Sequence, residues 1–383
     1  MSIFTLIRWI YVAINIALIV GLYWNLRRVG WKRRSSAGAG LLAVALSLAF
    51  PAARLLDGNE PWVRGVAFAG TFWLSFVLHA MLLLVLLGMF HGCARIFRRR
   101  RVCPESALRW RKRALWGVMG GAFCVSLLGW ANTQQPVVRE PRLEAATAQP
   151  SQAARPLRVV ALSDLHLGRL VSPAYFSSLI EAIEPLRPDM LLLAGDILDD
   201  YHGLDTRAMR ADLERLSPPL GVWGVLGNHE YIAGDADVSR RLLEAGGVRI
   251  LRDEWADAGG KVLLVGRDDY SRSRFIGDAR KSLPEILADM PVALRQQPMI
   301  VLDHQPFHLE ESEAIGAFLQ ISGHTHNGQL FPFNFVVRWI YENAYGYSRR
   351  GQTHYWVSAG AGTWGPRVRT TSRPEIVLIQ MGM

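Results

Sequence analysis

Residues 157–166 read Leu-Arg-Val-Val-Ala-Leu-Ser-Asp-Leu-His, an apolar run that ends in polar residues. A run this short, rich in Leu and Val, predicts a buried β-strand. The same arrangement recurs at residues 190–196, 222–230, 299–304 and 319–326. The polar motifs that follow the five runs are Asp164-Leu165-His166, Gly195-Asp196, Gly227-Asn228-His229-Glu230, His304 and Gly323-His324-Thr325-His326. Polar residues directly after buried parallel strands lie at one edge of an α/β sheet, where binding sites form.

Helical patterns separate several of these strand-like runs, as expected for an α/β domain. The predicted helices cover residues 174–186, 207–216 and 238–245. Further strands are predicted at residues 261–265, 355–358 and 375–380. The domain is therefore expected to span residues 157–383.

The five motifs, in this order, resemble those of the calcineurin-like metallophosphoesterases: Asp-x-His, Gly-Asp-x-x-Asp, Gly-Asn-His-Asp/Glu, His and Gly-His-x-His. Asp199 completes the second motif in this chain. Each motif alone is common, but five in one order are highly specific, and the resemblance covers roughly the C-terminal 230 residues. It implies a four-layer αββα sandwich of two facing mixed sheets, with two metal ions at one sheet edge.

The resemblance also implies the metal ligands. Asp164, His166 and His326 hold the first ion, Asn228, His304 and His324 hold the second, and Asp196 bridges both. Carboxylate, amide oxygen and imidazole ligands suit divalent Mn, Fe or Zn. Two such ions about 3.5–4 Å apart stabilise both oxygens of an in-line displacement and lower the pKa of bound water to about 7.

His229 is expected, again by resemblance, to face the phosphoryl group and assist the leaving oxygen, with Asp199 orienting its ring. The protein Ser/Thr phosphatases of this superfamily have Arg-Gly after the second motif, where this chain has Asp200 and Tyr201. A phosphoprotein substrate is therefore not expected. Three histidines after the first strand lie outside the five motifs. They are interpreted as surface or packing residues: His202, His308 and His354.

The first 131 residues form a separate, membrane-like region. Four segments contain no Asp, Glu, Lys or Arg, at residues 9–26, 35–53, 65–94 and 114–131. Each is long enough to cross the roughly 30 Å hydrocarbon core of a bilayer as a helix. The sequence thus predicts about four transmembrane spans, with the lipid bilayer as a partner.

Charge between the predicted spans indicates their orientation. The first and third connections carry 14 Lys and Arg residues, whereas the second has two basic and two acidic residues. Because basic connections stay in the cytoplasm, both chain ends are expected outside the cytoplasmic membrane. The sequence therefore predicts a multi-pass inner-membrane protein with an extracytoplasmic catalytic domain.

The net charge of +10 follows the same division. Residues 1–131 hold 17 basic and 3 acidic residues, and the remainder holds 26 basic and 30 acidic residues. The slightly acidic soluble part makes a nucleic-acid partner unexpected. All three cysteines (Cys93, Cys103 and Cys124) lie in the membrane region, so no disulfide framework is expected in the soluble domain.

Three segments outside the motifs have their own interpretations. Residues 132–156 are predicted to be a linker. Residues 330–347 contain many aromatic side chains, interpreted either as a packed cover of the core or as an apolar lip for the bilayer interface or acyl chains. Three arginines near the C-terminus are interpreted either as ligands of the substrate phosphate or as solvated surface residues: Arg367, Arg369 and Arg373.

These observations favour a membrane-anchored dimetal phosphoesterase with a phosphorylated small molecule or lipid as substrate. The bond cleaved is expected to be a phosphodiester, phosphomonoester or pyrophosphate bond of an envelope or lipid-linked molecule. One alternative is a pyrophosphohydrolase of the UDP-2,3-diacylglucosamine type in lipid A synthesis, although its substrate is cytoplasmic. A sensor or scaffold that uses the fold only for binding, and a transporter with an appended domain, are alternatives of other classes.

Overall fold

The computed structural model describes residues 3–56, 60–97, 104–144, 155–201 and 204–382. Within them the chain divides into two compact units, formed mainly by residues 1–131 and mainly by residues 132–383. His202 and Cys103, which were interpreted from the sequence, lie outside the described residues.

The first unit consists of long helices. In the described residues these are α1 (Ile3–Arg28), α2 (Arg33–Leu55), α3 (Pro61–Phe97) and α4 (Pro104–Ala131). All four are long and apolar enough to cross a membrane, in agreement with the four predicted spans. Helices α2 and α3 approach closely, since a Cβ atom on Gly70 would lie 2.3 Å from the Phe50 nitrogen. Small residues at such a contact let the backbones of membrane helices pack tightly.

The second unit contains two β-sheets in its described residues. The strands are β1 (Val137–Arg139), β2 (Arg142–Glu144), β3 (Leu157–Leu162), β4 (Met190–Ala194), β5 (Val222–Val225), β6 (Arg249–Ile250), β7 (Glu254–Ala258), β8 (Val262–Gly266), β9 (Met299–Leu302), β10 (Leu319–Ser322), β11 (Gly346–Arg350), β12 (Thr353–Val357) and β13 (Glu375–Gly382). One sheet has the order β1-β13-β3-β4-β5-β6, with β2 also paired to β13, and the other has the order β11-β12-β10-β9-β8-β7. Both sheets mix parallel and antiparallel pairs.

Helices of the second unit follow the strands. They are α5 (Pro173–Ile183), α6 (Thr206–Leu216), α7 (Asn228–Ile232), α8 (Ala236–Ala245), α9 (Arg272–Ile276), α10 (Leu283–Ile286), α11 (Leu309–Ala314) and α12 (Phe333–Ile340). Asp205 caps α6 by accepting from the backbone N–H groups of Arg207 and Ala208, and Asp235 caps α8 in the same way. Such caps satisfy N–H groups that have no partner in the first turn.

Side-chain alternation along the strands builds four layers. Val159 and Ala161 of β3 pack with Ile300 and Leu302 of β9 in the core between the two sheets. The alternate residues, such as Val160, face the helix layer of α5, α6 and α8. A third cluster joins the outer face of the second sheet to α10. Because both sheet faces are covered, the strands read as continuous apolar runs, and the αββα fold expected from the sequence is confirmed.

The predicted linker contains more structure than expected. Strands β1 and β2 lie within it and pair in parallel with β13, Val137 opposite Glu375 and Arg142 opposite Gln380. Each has only three residues and no apolar alternation, so nothing local marks it as a strand. The connection between α4 and the first sheet is therefore residues 132–136, far shorter than the predicted tether.

Candidate metal centre

The parallel strands end side by side at one edge, and the predicted site residues follow them there. Leu162 of β3 is opposite Leu193 of β4, and Leu193 is opposite Gly224 of β5. Three groups of side chains at this edge are able to hold a metal ion: Asp164, His166 and His326; Asp196, His304 and His324; and His166, Asp199 and His229. The ligand atoms in each group lie within 4.8 Å of one another. Asn228 directly precedes His229 at the start of α7.

The backbone at this edge is unusual. Asp164, His166, Asp196, His324 and His326 all have φ between 49° and 69°, the left-handed region that non-glycine residues seldom adopt. Strain of this kind persists where the surrounding structure fixes it, and it gathers at functional sites. Each left-handed residue turns the chain sharply after its strand, which directs the side chains of five predicted ligands toward one centre.

Two glycines in the motifs let the loops come close enough. A Cβ atom on Gly227 would lie 2.2 Å from Asp196 Oδ1, and one on Gly323 would lie 2.2 Å from Asp164 Oδ2. Any side chain at either position would displace a predicted carboxylate ligand. The motif glycines are thus required by packing against the site.

The first group brings imidazole nitrogens and a carboxylate together. His326 Nε2 lies 3.3 Å from Asp164 Oδ1 and 3.0 Å from His166 Nε2. His166 Nδ1 lies 2.7 Å from Asp199 Oδ1, which assigns the proton to Nδ1 and leaves the Nε2 lone pair facing the group. Asp164 is fixed in turn by the backbone N–H of His324, 2.9 Å from its Oδ1.

The second group contains buried lone pairs without partners. His304 Nδ1 donates to the Ala194 carbonyl at 2.8 Å, so its Nε2 faces Asp196 Oδ2 at 3.1 Å. His304 Nε2 and Asn228 Oδ1 are buried and make no hydrogen bond. Buried lone pairs beside a carboxylate are costly unless a cation satisfies them. This donor set therefore fits a divalent cation, and Asp196, also 3.9 Å from His166 Nε2, lies between the two groups.

The charges lead to the same conclusion. Burial opposes ionisation of Asp164 and Asp196, but the facing histidines, His326 for Asp164 and His304 for Asp196, hold both pKa values below the usual range. Burial also lowers the pKa of His324 to about 3 and of His326 to about 4, which keeps both rings neutral and able to bind metal. The pKa of His304 is raised despite its burial, because Asp196 attracts a positive charge there. Ionised carboxylates beside the neutral rings of His324 and His326 form a donor set that suits a divalent cation.

His229 and Asp199 occupy the positions expected of an acid and its orienting carboxylate. His229 Nδ1 lies 2.6 Å from Asp199 Oδ1, and its backbone N–H donates to Asp196 Oδ1 at 2.8 Å. Burial lowers the pKa of His229, but Asp196 and Asp199 together raise it to about 9. A ring with this pKa carries a proton at neutral pH.

Glu230 has a role that the sequence analysis did not assign. Its carboxylate accepts from the backbone N–H groups of Asp196, Ile197, Leu198 and Gly227, at 2.6 to 3.2 Å. One buried side chain thus ties the loop after β4 to the loop after β5 and fixes the position of Asp196. The sequence feature that could have indicated this role is the position of Glu230 directly after Asn228 and His229 in the motif.

Arg369 was interpreted as a phosphate ligand or a solvated residue, and both interpretations were wrong. It is fully buried, its guanidinium donates to the carbonyl of Gly362 at 2.6 Å, and it lies 3.1 Å from Nδ1 of His326. Burial lowers its pKa to about 10. Arg369 therefore supports a predicted ligand from behind. His354, as expected, is a packing residue that bonds to the Tyr347 hydroxyl at 2.9 Å.

Comparison with known proteins agrees with this fold and site. Residues 157–328 match the family described as Metallophos, calcineurin-like phosphoesterase. An uncharacterized metallophosphoesterase of Aquifex aeolicus is 31% identical over 226 residues, which cover 58% of this chain and 84% of the relative. The chain belongs to the calcineurin-like metallophosphoesterase family.

Two further relatives match more of the chain. An uncharacterized metallophosphoesterase of Helicobacter pylori is 29% identical over 277 residues, covering 71% of this chain and 72% of the relative. A "transmembrane protein with metallophosphoesterase domain" of Bos taurus is 29% identical over 360 residues, covering 88% of this chain and 78% of the relative. A match of that length includes much of the helical region before residue 132.

Proposed function

We propose that this protein is a membrane-anchored dimetal phosphoesterase that hydrolyses a phosphodiester, phosphomonoester or pyrophosphate bond of an envelope or lipid-linked molecule. The observation that carries the proposal is the meeting of two ligand groups at Asp196, with His229 and Asp199 beside them. Family membership supports hydrolysis of a phosphoester.

The first ion would be held by Asp164, His166 and His326, and the second by Asn228, His304 and His324, with Asp196 shared. Divalent ions of this kind supply Lewis-acid activation and make water a nucleophile at neutral pH. Buried lone pairs on His304 and Asn228 support this assignment, since each lacks a protein partner.

The protein side chains supply positioning and proton transfer. Asp199 holds His229 through Nδ1, so Nε2 presents its proton to the oxygen of the leaving group. Asp199 also holds His166, which couples the orientation of the acid to that of a ligand. Glu230 keeps the Asp196 loop rigid while charge changes at the centre.

The proposed topology places the catalytic domain outside the cytoplasmic membrane. Its support is the 14 basic residues in the two connections assigned to the cytoplasm. A cytoplasmic substrate, as in lipid A precursor hydrolysis, would require the opposite orientation.

The test uses the full chain purified in lipid nanodiscs, stripped with a chelator and reloaded with Mn(II). We expect about two ions per chain and metal-dependent hydrolysis of an aryl phosphodiester or phosphomonoester. The matched control is Asp278→Asn, which changes an exposed carboxylate elsewhere and should leave both measurements unchanged. Fewer than one ion per chain would contradict the dimetal centre, and full loading without hydrolysis of either ester would favour a binding-only role.

A further inference from the structure

Helix α12 has no buried residue, although it begins seven positions after His326. Trp339 is 87% exposed and Phe335 is 60% exposed, and Phe333, Val336 and Ile340 are exposed as well. Water-soluble surfaces seldom carry large apolar side chains this close together. This exposed face requires a partner.

The apolar residues form one continuous face. At 3.6 residues per turn the five exposed apolar residues cover roughly 160° of the circumference, and Asn334, Val337 and Arg338 occupy the other side. The Asn334 backbone packs on the domain, because a Cβ atom on Gly328 would lie 2.2 Å from its nitrogen. Asn334 and Val337 are half-buried on the side toward the protein, whereas Arg338 is exposed. The helix therefore turns most of its apolar residues outward, the reverse of an ordinary surface helix.

Both ends of α12 are fixed beside the candidate metal centre. Before the helix, the Phe331 N–H donates to Thr370 Oγ1 at 2.7 Å. After it, the Tyr341 ring lies 4.7 Å from the Phe307 ring and 6.1 Å from that of His324, centroid to centroid. These contacts fix the position of α12 relative to the predicted ligand His324.

The length of the connection between the two units limits which membrane the exposed face of α12 can reach. Helix α4 ends at Ala131 and β1 begins at Val137. The five residues between them reach at most about 20 Å when fully extended. A domain on so short a connection stays beside the membrane that holds α1–α4.

Composition favours the interfacial zone of that membrane. Between Phe331 and Tyr341 the charged residue is Arg338, and the rest are aromatic, aliphatic, Pro or Asn. Interfacial helices combine aromatic residues with a basic residue whose stem lies along apolar surface and whose charge stays in water. This stretch contains no carboxylate, so it does not repel anionic lipid headgroups.

We propose that α12 lies in the interfacial zone of the bilayer that anchors the protein, with Phe335 and Trp339 toward the acyl chains. The metal centre then sits at the level of the lipid headgroups. This inference rests on the exposed face and the short connection, and it stands whether or not the centre hydrolyses a phosphoester.

The test is site-directed spin labelling of the full chain in phosphatidylcholine and phosphatidylglycerol vesicles. With the native cysteines replaced by alanine, a nitroxide is attached at Trp339→Cys or Phe335→Cys. The matched control is Val292→Cys, which replaces another apolar residue, 75% exposed, before the amino end of β9. The measurement is relaxation by oxygen, which partitions into lipid, against relaxation by a water-soluble nickel chelate.

We expect the oxygen-to-nickel ratio at positions 339 and 335 to exceed that at position 292 by about tenfold, since lipid excludes the chelate. Equal ratios at the three positions would overturn the proposal. Shielding of positions 339 and 335 from both reagents would also overturn it, because a second copy or a protein partner would then cover the helix. Using two labelled positions keeps the test decisive if Trp339→Cys alone fails to fold.

Discussion

His229 Nδ1 lies 2.6 Å from Asp199 Oδ1, and the same oxygen lies 2.7 Å from Nδ1 of His166. One carboxylate thus orients both a predicted metal ligand and the predicted acid. Carboxylates behind ligating histidines fix the tautomer and typically contribute 10- to 100-fold in metal affinity or activity. Substitutions of His229 and of Asp199 should therefore differ in their effects on metal binding and turnover.

We expect His229→Ala to keep both metals and to lower kcat by about 10²- to 10⁴-fold, because it removes the proton donor alone. Asp199→Asn should weaken metal binding and turnover together, since it also releases His166. Metal content and kcat measured on the same preparations separate the two outcomes, with His308→Ala as the exposed control. Loss of metal in His229→Ala, with activity per bound metal intact, would show that the assignment of acid and ligand is wrong.

Asp196→Asn should harm activity more than any other single ligand change. Its carboxylate lies 3.1 Å from His304 Nε2 and 3.9 Å from His166 Nε2, so it serves both groups. An amide removes the charge that balances both cations. Steady-state rates and metal stoichiometry, compared with Asp164→Asn, test this order. A larger loss in Asp164→Asn would contradict the shared position of Asp196.

Glu230→Gln should destabilise the domain by about 2–3 kcal/mol, because an amide oxygen is a weaker acceptor than a carboxylate for buried N–H groups. The amide nitrogen also replaces one of the two oxygens, so it faces either the N–H groups of Ile197 and Leu198 or those of Asp196 and Gly227. Thermal unfolding of the full chain in detergent measures the effect, and Glu181→Gln on the exposed side of α5 is the control. An unchanged melting temperature would mean that the four hydrogen bonds contribute little.

A reporter fused to the C-terminus should report an extracytoplasmic location. Alkaline phosphatase, which needs export to fold, should be active in this fusion, and a cytoplasmic fluorescent reporter should be dark. The basic connections at residues 27–34 and 95–113 are the physical reason. The reverse pattern would refute the proposed topology and would make a cytoplasmic lipid A precursor the preferred substrate.

The exposed face of α12 should favour amphiphilic substrates if the centre is a phosphoesterase. Trp339→Ser or Phe335→Ser should lower the rate on a long-chain lipid phosphate in mixed micelles by about tenfold, because a buried large apolar side chain contributes about 1.5–3 kcal/mol. The rate on a short soluble phosphodiester should not change, nor should either rate in Val292→Ser. Equal losses on both substrates with a lower melting temperature would mean that these rings stabilise the fold.

The aromatic stretch shows why the two interpretations made from sequence could not be separated there. Tyr345 and Tyr347 bond to Glu375 and His354, as a packed cover of the core would, whereas α12 projects its apolar face outward. Both halves of this stretch contain several aromatic residues. The direction of each side chain depends on neighbours distant in the sequence, such as Gly328 and Thr370.

The sequence by itself determined the buried strands, because an unbroken run of apolar residues is a local property of the chain. The apolar runs within residues 157–166 and 299–304 form the strands Leu157–Leu162 and Met299–Leu302. It also located the predicted ligands, because parallel strands deliver the residues after them to one edge. Only the tertiary structure decided the pairing of β1 and β2 with β13, the tie between Glu230 and the Asp196 loop, and the burial of Arg369 behind His326. Each joins residues from separate segments, and such contacts depend on which strand ends and loops meet in space.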